Sequence, residues 1–145
     1  MKLTSITAER HYFNEKPKGT PLRLLLSFTN GKTLRLRVAG DGQRMILDSD
    51  PLPSPTEMDE FGRTELSDVT RDLFPTLSGL AIDRIAELVW HRTMVGICLE
   101  SETSSSFYFW VDGDELHWGD SAALQSHDWL DDVLPSVTEK TISVN

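Results

Sequence analysis

The run richest in chemically capable side chains is Asp112-Gly113-Asp114-Glu115-Leu116-His117-Trp118-Gly119-Asp120. It offers carboxylates and an imidazole within a short span, the ligand types that calcium or a transition metal accepts. The spacing argues against a cation: the remainder of an EF-hand loop, including a glutamate at its twelfth position, is missing. Asp-Gly also marks tight turns for backbone reasons alone. Such a turn crowds Asp112, Asp114 and Glu115 together and turns them mostly to water. Neither a metal nor a cofactor is expected.

The histidines His11, His91, His117 and His127 show no His-Glu-x-x-His, His-x-His or His-x3-His spacing. Histidine is the residue type suited to general-base work at physiological pH, but for His117 a surface or partner-contact role is preferred. No Gly-x-Ser-x-Gly elbow and no glycine-rich phosphate loop appears, and no catalytic set is assigned. Cys98, between Ile97 and Leu99, reads as a buried, inert thiol. An enzyme is therefore the less favoured class.

Just upstream, Phe107-Tyr108-Phe109-Trp110-Val111 is bulky on both faces of one strand. If Phe107, Phe109 and Val111 fill a core, Tyr108 and Trp110 point the other way, and strand parity sends His117 with them. A helix over Ala122–Leu130 then covers that second face, or the face is an interaction surface. In the second case Tyr108, Trp110 and His117 anchor a site ringed by Asp112, Asp114 and Glu115. These six are the candidate binding residues.

The elements that hold them follow from side-chain alternation. Leu22, Leu24, Leu26 and Phe28, then Leu34, Leu36 and Val38, have the period of two that marks strands. A two-residue turn would set leucines opposite arginines. A three-residue loop, Thr29-Asn30-Gly31, instead pairs Leu26 with Leu34, Leu24 with Leu36 and Leu22 with Val38, keeping one face apolar. Arg23, Arg35 and Arg37 occupy the other face. Met94–Val111 repeats the pattern, and a shift of 73 positions overlays the hairpins, setting Gly40-Asp41 on Gly113-Asp114.

The fold class expected is therefore β-rich α+β: antiparallel sheets from two similar four-stranded meanders, with two or three short helices. The pseudo-repeats span 3–48 and 82–120, compatible with an internal duplication inside a single domain of residues 1–145. Between them, Ser54, Pro55, Glu57 and Gly62 suggest a helix of about two turns with Met58 and Phe61 inward. Ser67 caps a second short helix ending before Pro75, and Asp120 or Ser121 caps a third. Residues 79–90 fit a helical stripe as well as a strand; the overlay favours a strand from Ile82 to Val89. The tail, with Val137, Ile142 and Val144, is frayed or an edge strand.

The chain has a net charge of −9. Residues 1–44 hold nine basic groups against three acids (+6), and residues 45–145 hold five against twenty (−15). An acidic chain is a poor binder of phosphate backbones, so nucleic acid is not expected. No apolar run suits a membrane span, the start lacks a secretory signal pattern, and one cysteine permits no internal disulfide, so the expected compartment is the cytoplasm. The favoured reading is a small acidic protein-binding domain, an inhibitor or immunity-type partner of a basic protein. Size and acidity are similar to those of bacterial immunity proteins, a likeness of composition alone. The alternatives are a small enzyme or ligand-binding domain with a pocket near His117, and a homo-oligomer joined by self-association.

Overall fold

The computed structural model describes residues 1–128 and 133–142. The chain is a β-rich α+β protein with two antiparallel sheets. The chain divides into two compact units. The first is Met1–Arg37 with Leu47–Leu80; the second is Val38–Ile46 with the described residues from Ala81 onward.

The first sheet is built on β1 (Leu3–Phe13), β3 (Arg23–Phe28), β4 (Thr33–Val38) and β5 (Met45–Asp48), neighbours in that order. Short β2 (Lys16–Pro17) and β6 (Arg63–Asp68) both pair with β1. The second sheet repeats the scheme: β7 (Ile82–Trp90), β8 (Thr93–Ser101), β9 (Ser106–Asp112) and β10 (Glu115–Asp120) form a meander, and β11 (Thr138–Ile142) pairs with β7. Each sheet thus has four neighbouring strands in chain order and a later antiparallel strand on the outer edge of the first, with the short β2 as a sixth strand in the first sheet.

Register follows the apolar alternation. Leu24 faces Leu36 and Leu26 faces Leu34, with Arg23 opposite Arg37. Phe28 N–H donates to the Lys32 carbonyl across Thr29-Asn30-Gly31, and Gly31 has φ 81°, so the loop has three residues. Leu24, Leu36, Ile97 and Phe109 are completely buried. Leu22 departs from expectation. It precedes β3 and is 44% exposed, its N–H held by the Glu9 carbonyl instead of a partner at Val38.

In the second sheet Ile97 pairs with Phe109, Leu99 with Phe107, Cys98 with Tyr108 and Gly96 with Trp110. Ile82–Trp90 is a strand, as the overlay required. Cross-strand neighbours decide here: a 3.6-residue stripe has no meaning once β8 and β11 flank the segment with ladder hydrogen bonds.

The helices are shorter than expected. The Ser54–Gly62 helix does not form. Thr56 N–H donates to Thr64 Oγ1, Thr64 N–H returns to the Thr56 carbonyl, and Glu57 bridges Arg63, closing the segment as a loop onto β6. Only a 3-10 turn over Asp59–Phe61 remains, and Phe61 is 69% exposed. With only Met58 and Phe61 to bury, a helix there had no apolar stripe to drive it. Ser67 belongs to β6, and α1 (Thr70–Leu73) is a single turn ending before Pro75, with Asp68 accepting from Thr70 N–H and Oγ1. The third, α2 (Ser121–Ser126), starts on Asp120, whose side chain accepts from Ala123 N–H. The part of that expected helix at Trp129 and Leu130, and Val144 of the tail, lie outside the described residues. Among the described residues no helix is long and apolar enough to cross a membrane.

Candidate functional site

The candidate residues all lie in the second unit, around the β9–β10 hairpin. Gly113 (φ 59°) and Asp114 (φ 66°) are its two turn residues, and the positive φ at both makes the type I′ turn whose twist matches the flanking strands. Asp114 and Glu115 consequently face water. Asp112, at the end of β9, is half-buried and turns inward: its Oδ2 lies 2.7 Å from His127 Nε2. Its backbone carbonyl lies 3.1 Å from His117 Nε2. A carbonyl only accepts, so His117 Nε2 carries a hydrogen, and in the neutral ring the lone pair is on Nδ1.

Trp110 holds both imidazoles. His117 stacks on it at 6.0 Å between centroids and 17° between planes, while His127 meets it edge-on at 5.5 Å and 73°. The imidazole centroids are 4.7 Å apart. Trp110 is only 3% exposed, packed with Leu124 of α2 and with Val133. Of the two accounts of this face, the covering helix describes Trp110. Its indole N–H is buried without a hydrogen-bond partner among the described residues. Gly119 lets α2 approach β10, since a Cβ there would overlap that of Ala123. The chain then leaves α2 in an extended conformation at His127, which returns the imidazole to the hairpin.

A cleft of about 550 Å³ opens on the same hairpin, lined by Asp41, Trp90, His91, Thr93, Asp112 and Asp114 among others. Its rim consists of tight turns: the 39–44 loop, the His91-Arg92 turn (φ 47° and 64°) and Gly113-Asp114. Asp114 N–H donates to the Gly42 carbonyl at 3.3 Å. Gly42 has φ 72°, and a Cβ there would collide with the Asp114 carboxylate, so glycine is needed on both counts. The Gln43 N–H and the Arg44 guanidinium hold the Asp41 carboxyl below the usual carboxylate range. Arg44, on the cleft wall, is thereby engaged with Asp41 at 2.8 Å.

The six candidates divide. Asp112 and His117 come together with His127; Asp112 and Asp114 line the cleft; Trp110 supports from beneath. Tyr108 packs half-buried near Cys98, Trp90 and Val137, its hydroxyl pKa pushed up by burial, and Glu115 stands apart from cluster and cleft. Burial also pushes up the Cys98 thiol. His127 gave no signal by spacing, because its contact arises only when α2 doubles back on β10. Asp41 had a faint one: the 73-position overlay set it on Asp114. In comparisons with protein-family models, curated proteins and solved structures, the chain matches none.

Proposed function

We propose that the second unit is a protein-binding module whose cleft accepts a basic segment of a partner protein, in the manner of an inhibitor or immunity-type partner. The carrying observation is the convergence of Asp41, Asp112 and Asp114 on one cleft beside Trp90. Charge supports it. Residues 1–37 and 47–80 hold ten basic and ten acidic groups, net zero, whereas residues 38–46 and 81–145 hold four and thirteen, so the −9 falls wholly on the second unit. Complementary charge speeds encounter, and an aromatic wall adds contact for a guanidinium or an aliphatic stem.

Self-association through the arginine face draws less support, since Arg35 is held by both Asp48 oxygens at 2.8 and 2.9 Å and Arg23 by Glu9. A ligand-binding or enzymatic pocket at His117 draws little, because its Nε2 meets a backbone carbonyl and His117 is not among the cleft-lining residues.

The test is titration with a fluorescent arginine-rich peptide and a glutamate-rich control, in buffer containing a chelator. The arginine peptide is expected to bind, with affinity falling about tenfold or more between 50 and 200 mM salt as screening grows. Asp114→Asn tolerates the left-handed backbone and removes one charge; it should weaken binding about threefold to tenfold. Binding that ignores salt, or equal binding of both peptides, rejects the reading.

A further inference from the structure

We propose that Asp112, His117 and His127 form a binding site for one divalent transition-metal ion of the zinc class. The three side chains come from the end of β9, from β10 and from the residue following α2, and each can offer one ligand atom with all such atoms within 4.8 Å of one another. Two imidazoles and one carboxylate suit zinc and its first-row neighbours, whereas calcium and magnesium require mostly oxygen.

The distances decide whether an ion fits. Metal–nitrogen and metal–oxygen bonds of about 2.0–2.1 Å in a tetrahedron place ligand atoms roughly 3.3 Å apart. The 2.7 Å from His127 Nε2 to Asp112 Oδ2 must therefore open slightly. The three residues can each offer one ligand atom within 4.8 Å of the others, and these must close toward the same spacing. Movement of the half-buried Asp112 and His127 side chains toward the His117 ring must supply both changes.

The surroundings are those of a metal site. A ligating histidine characteristically donates its other ring N–H to a backbone carbonyl or carboxylate, fixing the tautomer that presents a lone pair to the ion. His117 already makes that bond through Nε2 to the Asp112 carbonyl, leaving Nδ1 as the ligand atom. Trp110, buried and stacked on His117, fixes the ring plane. Three protein ligands leave a fourth position for water.

The inference goes beyond the partner reading and does not depend on it: the titration below contains no partner, and the peptide test above contains no free metal. Full-length chain stripped with a chelator and dialysed is titrated with zinc chloride, and separately with calcium and magnesium chloride, by calorimetry. Expected is one zinc per chain with Kd of about 1 µM or tighter and no saturable calcium or magnesium binding. His117→Ala and His127→Ala should each weaken zinc binding about thirtyfold or more, and His11→Ala, in the first unit, should leave it unchanged. Because the imidazoles pack on Trp110, circular dichroism checks that each variant is folded. Histidine side-chain NMR on the wild type gives a readout free of substitutions: one equivalent of zinc should move the His117 and His127 signals and leave those of His11. No saturable zinc binding below about 100 µM overturns the proposal. So does stoichiometric binding that moves other histidines, or unchanged affinity in a folded His127→Ala.

Discussion

At the residue scale, three positions lend themselves to direct measurement. Trp110→Ala removes a buried ring from beneath α2 and both imidazoles, so the loss falls on the fold: about 3–5 kcal/mol in urea unfolding, with Trp110→Phe losing far less. Cys98 is buried with its thiol pKa raised by burial, so a maleimide at pH 8 should leave the native chain unlabelled and react on unfolding; rapid native labelling would contradict the packing. Asp48 is one of the acid-sensitive groups, with Asp41 and Asp68. Hydrogen bonds from Arg35 hold its carboxyl below the usual value, so its stabilisation is complete above the unfolded Asp pKa of about 3.9 and is lost as pH falls through the lower folded value. Stability should therefore drop below about pH 4, and Asp48→Asn should flatten that drop while costing about 1 kcal/mol at neutral pH. Equal acid limbs would refute the assignment.

At the element scale, the strands were legible and the helices much less so. Alternation at Leu24–Leu26 and Leu34–Leu36 determined a register because a slip of one residue would bury arginines. The second sheet obeys the same rule, with Ile97 opposite Phe109 and Leu99 opposite Phe107. Capping residues at Ser54 and Gly62 carried no such penalty, and pairing of Thr56 with Thr64 prevailed over local preference. Turn type was similarly hidden at His91-Arg92, where neither residue advertises a left-handed backbone. Both adopt positive φ, at about 1–2 kcal/mol each for an L residue, which the β7–β8 ladder outweighs. Arg92→Gly is expected to stabilise by about 0.5–1 kcal/mol after the extra glycine entropy is deducted, seen as a raised urea midpoint. A lowered midpoint would mean that the Arg92 side chain does something the backbone argument omits.

At the scale of the whole molecule, charge is divided less sharply in space than along the chain. Splitting the sequence at residue 44 gives +6 and −15, yet the compact units carry zero and −9, because Val38–Ile46 and Leu47–Leu80 cross between halves. The sequence could not show this, since it follows from which segments cluster. All four tryptophans (Trp90, Trp110, Trp118 and Trp129) fall in residues 81–145, so tryptophan fluorescence reports on the acidic unit. Its self-repulsion should be relieved by salt: raising sodium chloride from 10 to 200 mM is expected to increase the fluorescence-detected stability by about 1 kcal/mol. A salt-independent midpoint would mean that the acids are too far apart to repel.

The outer edge of β7 is paired over Ile85–Val89 by β11, some fifty positions later in the sequence. During synthesis β7 to β10 emerge and can assemble while nine residues, Ile82–Trp90, still present an open row of amide and carbonyl groups. β11 is mostly exposed and carries Glu139 and Lys140, so its own outer side is poorly suited to recruit a neighbour. A chain ending at Ser136 should therefore associate strand to strand through β7 at micromolar concentration, where the longer chain stays dispersed.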